Sequence, residues 1–132
     1  MNIQYHNPKI KEFTDLIAWK EGHKLVLMIY EITKQFPQQE LFALIDQLRR
    51  SSSSITSNIA EGFGRQTYKE KVQFYYLAQG SLTELKNQLM IAKDVEYLSL
   101  EEYNGLYDQA NKVHQLLQGL ITKSKTFINL KS

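Results

Sequence analysis

At 132 residues, with 42% apolar and 23% charged residues and a net charge of +2, the chain has the composition of one globular domain able to bury about two thirds of its unfolded surface. It contains no cysteine, which excludes a disulfide framework, a thiolate metal site and a cysteine nucleophile. The longest wholly apolar run, Leu25 to Tyr30, is far too short to span a bilayer, and the opening MNIQYHNPKIKEF has no apolar signal core, so a cytoplasmic location without membrane contact is expected.

Residues 1–13 show no sustained period and read as an N-terminal arm. From Leu16 to Phe36, apolar residues recur at helical spacing at Ala18, Trp19, Leu25, Val26, Ile29, Ile32 and Phe36, with Lys20, Glu21, Lys24, Glu31 and Lys34 on the opposite face. Pro37 ends this first amphipathic helix, and Gln38-Gln39-Glu40 suits the first turn of the next.

The second helix opens with Leu41, Leu44, Ile45 and Leu48 and then enters RRSSSSITSNIAEGFGR, where composition alone suggests a linker. The apolar stripe nevertheless persists through Ser51 or Ser52 to Ile55, Ile59 and Phe63. Serine costs a helix about half a kcal/mol relative to alanine, but its hydroxyl can bond back to a carbonyl one turn earlier, and its small volume admits a close neighbour. The segment is therefore read as helix, with Gly62 and Gly64 as its stop.

Thr67-Tyr-Lys-Glu70 is a capping box that starts a third helix reaching about Asp94, with Phe74, Ala78, Leu82, Leu85, Leu89 and Ala92 inward. Ser99-Leu-Glu-Glu102 is a second box and starts a fourth helix with Tyr103, Leu106, Ala110, Val113, Leu117 and Leu120 inward. Helices of roughly 20 to 28 residues joined by short loops force antiparallel neighbours. The expected architecture is an all-α, antiparallel up-down-up-down four-helix bundle over residues 14–128, with a C-terminal tail at 129–132.

Charge is distributed unevenly. Asp94 to Asp108 contains acids and no Lys or Arg, whereas beyond Asp108 there are only Lys112, Lys123, Lys125 and Lys131. Such a basic end suits nucleic acid or an acidic partner, and it equally suits the negative pole of a helix dipole. Arg49 and Arg50, with Arg65 past Gly64, could grip phosphates; alternatively, one of the pair could reach across to Glu84 beside Ser81. Arg65 is expected to be the freer contact. Asn58, Glu61 and Arg65 share one helix edge, which reads as a polar structural motif with an i,i+4 ion pair.

No pattern points to catalysis or to a cofactor. The paired Glu-x-x-His of di-iron bundles is absent, and His23 and His114, which could meet from helices one and four, have no further ligand spacing. GFGR is followed by no Lys-Ser or Lys-Thr and reads as a turn. Adjacent Tyr75 and Tyr76 cannot both enter one core, so one of them, with Leu77 and Ile91 off the main stripe, is expected at a second interface.

Four stretches, DLIAWKEGHKL, YEITKQFPQQELFALIDQLRRSSSSITSNIAEGFGR, YYLAQGSLTEL and KVHQLLQGLI, resemble the small bacterial four helix bundle proteins, also called the 23S rRNA intervening-sequence protein family. The resemblance covers about residues 13–122, and QLRR followed by SNIAEGFGR is its most specific block. Where the family commonly has Ala-Ala-Val-Ser-Ile-Pro, this chain has Ser51-Ser-Ser-Ser-Ile-Thr56, and without the proline the second helix should run straighter. The resemblance implies a ring-like homo-oligomer, typically a pentamer, with no cofactor and no enzymatic activity. It also implies association with nucleic acid, RNA above all, or a role as an accessory subunit beside a retroelement reverse transcriptase. The function expected is thus a non-enzymatic nucleic-acid-binding scaffold or, alternatively, a protein adaptor.

Overall fold

The amphipathic segments condense into four α-helices: α1 (Ile17–Thr33), α2 (Leu44–Phe63), α3 (Tyr68–Asp94) and α4 (Leu100–Lys131). The structure is a computed structural model describing residues 9–131, with side chains to residue 128, and contains no strand among the described residues. Most of the expected N-terminal arm, residues 1–8, lies outside them; Phe13–Asp15 forms a single 3-10 turn. Each helix packs against the next in sequence, and α1 also packs against α4, around one core. None of the described helices is long and apolar enough to cross a membrane.

Residues across the seams pair in opposing order. Gly22 lies against Thr56, and Arg49 bonds Thr33. Between α2 and α3, Ser51 meets Gln88 and Ser54 meets Ser81. Gln79 meets Gln118 between α3 and α4, while Gln109 bonds Glu21 between α4 and α1.

The serine run is helical throughout, and the hydroxyls explain how. Ser52 donates to the Arg49 carbonyl at 3.1 Å, Ser53 to the same carbonyl at 2.8 Å, and Thr56 to that of Ser53 at 3.1 Å. Each buried hydroxyl is thereby satisfied within its own helix, which removes most of the cost of burying it. Ser51 and Ser52 are both in the core, not one of them.

Three local expectations need correction. The second helix begins at Leu44 instead of Leu41, because Gln38–Glu40 closes into a separate 3-10 turn after Pro37 and leaves Phe42 92% exposed. The second helix does stop at the glycines, ending at Phe63 with Gly64 as its C-cap at an ordinary right-handed φ of −77°. The Lys71 ammonium donates to the Phe63 carbonyl at 2.6 Å and satisfies the end of α2. On α3 it is Tyr75 that enters the core, with Phe74 only half-buried, because Gly62 leaves room for the Tyr75 ring. Similarly, Ile121 is fully buried while Leu120 is half-buried.

Both helix starts carry their expected caps, but only one box is complete. Ser99 and Glu102 exchange reciprocal bonds of 2.9 and 3.0 Å, whereas the Thr67 hydroxyl accepts from the Glu70 N–H at 3.2 Å and donates to the Glu70 carboxylate at 3.1 Å, leaving the Thr67 N–H out of the box. The α3–α4 turn closes through Glu96, at φ 67°, with the Tyr97 N–H donating to the Ala92 carbonyl at 2.9 Å.

Candidate functional site

The six basic residues singled out from the sequence do not converge. Arg49 turns toward α1: its Nε donates to Thr33 Oγ1 at 3.0 Å, and its guanidinium lies 4.6 Å from the centre of the Tyr30 ring. Arg50 pairs with Asp46 on its own helix at 2.8 Å. Neither meets Glu84, because the register places Ser51 beside Gln88 and so carries the arginines beyond Glu84 toward the end of α3. Ser81 instead meets Ser54 at 2.9 Å. Glu84 borders, with Arg50, Ser53, Ser57 and Asn87, an open polar groove of about 840 Å³ between α2 and α3. Lys112 sits on the α1–α4 seam, 3.3 Å from Glu21, whose carboxyl is held below its usual range by the Gln109 amide first and Lys112 second.

Arg65 is more engaged than its place in a turn suggests. It pairs with Glu61 at 3.2 Å and stacks over Phe74 at 4.5 Å, while its Nε is buried without a hydrogen-bond partner. Asn58 donates to the Ser54 carbonyl at 2.9 Å and its hydroxyl at 3.1 Å. Asn58 thus bonds within α2, and Arg65 reaches back from just beyond its end to Glu61.

What does come together is one end of the molecule. The ends of α2 and α4 and the start of α3 meet where Phe63, Lys71, Tyr75 and Lys123 border a common cavity. Arg65, Lys69, Lys71, Lys123 and Lys125 all belong to this end. Lys125 donates to the Tyr76 hydroxyl at 3.2 Å, and Lys69 is exposed. At the opposite end, where Tyr97 bonds Glu40 and Gln35 bonds Glu102, the acids Glu31, Asp94, Glu96 and Glu101 gather. The uneven charge of the sequence thus becomes an end that is basic on balance, where Glu61 and Glu70 are outnumbered, and an end that is acidic on balance, where Lys34 and Lys93 are. Lys69 and Lys71 were not legible as members, because only the fold brings the start of α3 beside the end of α4.

His23 and His114 do not share a site. His23 stacks on Trp19 with ring centres 4.7 Å apart, whereas His114 Nδ1 lies 3.4 Å from Lys86 Nζ on the α3–α4 seam. Burial first, and the Lys86 charge second, hold the His114 pKa below its ordinary 6.5. The unfolded chain therefore takes up this proton more readily, so the stability is greatest above the unfolded value and falls as pH drops toward the folded one. His114→Gln is expected to flatten the decline in melting temperature between about pH 7.5 and about pH 5. Glu21 and Glu102, whose folded values are lowered, lose their contribution only at lower pH. Parallel declines in the two proteins would remove the argument.

Side by side with known proteins, this chain matches the family described as 23S rRNA-intervening sequence protein over residues 14–119. No curated protein matches it. Among solved structures it is similar to a crystal structure of a protein with unknown function from the S23 ribosomal protein family of Bacteroides thetaiotaomicron. That likeness has 22% identity and a TM-score of 0.74, covering 80% of this chain and 98% of the other, and it shows the shared fold.

Proposed function

Because the chain belongs to the 23S rRNA-intervening sequence protein family, we propose that it is a non-enzymatic, self-assembling scaffold of the cytoplasm that holds RNA at its basic end. The observation that carries this reading is the uneven spread of charge along the helices: Arg65, Lys69, Lys123 and Lys125 outnumber Glu61 and Glu70 at one end, and Glu31, Asp94, Glu96 and Glu101 lie at the other. Phosphate contacts are sequence-independent and salt-sensitive, and a net charge of +2 is enough when the positive charge is gathered in one place.

The opposing residue pairs on all four seams support an up-down-up-down bundle as the unit of assembly. Self-association is supported by α3, which leaves Tyr76, Leu77, Met90 and Ile91 exposed outside the core. A ring, of five copies as the family resemblance implies, would set identical basic ends on one rim and multiply a weak contact.

The test is retention of a structured RNA as a function of salt, with the mass of the assembly read by light scattering. Binding should fall linearly on a log–log plot. Lys69→Glu with Lys125→Glu should weaken it about tenfold or more and reduce the slope by about two, with little change in melting temperature. Salt-independent binding, unaffected variants or the mass of a single chain would sink this reading. Co-purification of a protein such as a reverse transcriptase, surviving nuclease, would favour the adaptor instead.

A further inference from the structure

Inside the basic end lies a cavity of about 270 Å³, lined by Leu16, Phe63, Leu120 and Phe127 as apolar walls. Four side chains with polar groups also border it: Lys71, Lys123, Tyr75 and Ser124. Tyr75 is 2% exposed and Ser124 is 4% exposed, yet neither hydroxyl has a hydrogen-bond partner among the described residues. Arg65 Nε is the one dry, unpartnered side-chain atom among the described residues, so these two hydroxyls are reached from the cavity and can each bond a polar guest there. Neither lysine has a carboxylate within 4.0 Å among the described residues, and the one bond Lys71 makes is to the Phe63 carbonyl.

The chemistry of the lining defines the guest. Two cations and two hydroxyls match a carboxylate, which accepts several charge-assisted hydrogen bonds at once. Ring and aliphatic walls match an apolar body. An apolar cavity of roughly 150 Å³ holds a benzene ring, and drug-sized ligands need above roughly 300 Å³, so the space here suits a body of about eight carbons. We propose that this cavity binds a small amphipathic carboxylate, its head between Lys71, Lys123 and the two hydroxyls and its body against Phe63, Leu120 and Phe127. Two further features agree. Burial pushes the Lys71 pKa down and the Tyr75 pKa up, as expected of groups that water has left and no counter-charge has replaced. Of the exposed cations of the basic end the site takes only Lys123, so carboxylate binding is measured without RNA and does not depend on RNA being held there.

Calorimetry of the full chain with octanoate, 1-octanol and inorganic phosphate at one ionic strength tests the assignment. Octanoate should bind about tenfold or more tightly than either octanol or phosphate, since only it supplies both head and body. Lys71→Met and Lys123→Met should each weaken octanoate about tenfold and leave octanol unchanged. Lys123 is exposed, so its variant keeps the test valid should Lys71→Met fail to fold. Absence of octanoate binding, equal binding of octanol or phosphate, or an unaffected Lys123→Met protein would overturn the proposal.

Discussion

Gly62→Ala is expected to lower the melting temperature by about 3–10 °C, while Gly80→Ala raises it by a few degrees. Both glycines sit within helices, and in both places alanine improves helix propensity by about 0.8–1 kcal/mol. The difference is in what the new methyl meets. At Gly62 it would stand 2.7 Å from Tyr75 Cε1 and 3.0 Å from both Tyr75 Cδ1 and Phe74 Cβ. The Tyr75 ring is 2% exposed and lies directly against Gly62, and Phe74 Cβ is carried by the backbone of α3, so neither yields cheaply. Relief must come from separating α2 and α3 along their most intimate seam, and overpacking of this kind costs about 1–3 kcal/mol or more. A 2.7 Å approach puts the cost in the upper part of that range, about 2–3 kcal/mol, so the net loss is about 1–2 kcal/mol after the propensity gain. At Gly80 a methyl meets nothing within 4 Å, so the gain stands alone. Thermal melts of the two variants beside the parent protein measure both signs. A Gly62→Ala protein as stable as the parent would mean that the close approach of the helices at Tyr75 is wrong.

Gly62 also illustrates what could and could not be read from the residues alone. The helix starts at Thr67 and Ser99 were legible because a capping box is a local device: four residues decide it. The helical state of the serine run was legible because apolar periodicity persists through it and hydroxyls can bond back within the same helix. The role of Gly62 was not, since a glycine near a helix end looks the same whether it stops the helix or admits a neighbouring ring. Which of Phe74 and Tyr75 turns inward depends on that neighbour, and no pattern within α3 contains it. Glu96 shows the same limit: the turn needs a left-handed residue, and the chain supplies one without the glycine that would have signalled it.

The candidate site divides similarly. Arg65, Lys123 and Lys125 could be proposed as cations with a place on a helix, and they do share one end of the molecule. Arg49 and Arg50 were adjacent in sequence but diverge around the helix, one onto Thr33 and Tyr30 and the other onto Asp46. The expected pairing with Glu84 assumed a register set by a turn at Arg65. The register is actually set by the packing of small residues, Ser51 and Ser54 against Gln88 and Ser81. Side-chain volume at a seam therefore decided what charge and loop length could not.

That seam gives the second large effect. Ser51→Ala is expected to destabilise the protein by about 1–2 kcal/mol, far more than the same change at exposed Ser57. Ser51 donates to Gln88 Oε1 at 2.6 Å, and both residues are buried. Alanine is the better helix former, so propensity alone predicts a gain of about half a kcal/mol. It would, however, leave the Gln88 oxygen without its donor in a setting where an unpaired polar atom is costly. The reciprocal change is milder. In Gln88→Leu the Ser51 hydroxyl still has the Leu48 carbonyl at 3.3 Å, and leucine extends the apolar stripe of α3 through Leu85 and Leu89. Combining the two substitutions removes both polar partners, and the double variant should regain most of what Ser51→Ala loses. Chemical denaturation of the four proteins closes the cycle. A favourable coupling of about 1 kcal/mol or more assigns the hydroxyl–amide bond a part in holding α2 against α3, whereas strictly additive losses would mean that the serines contribute only by being small.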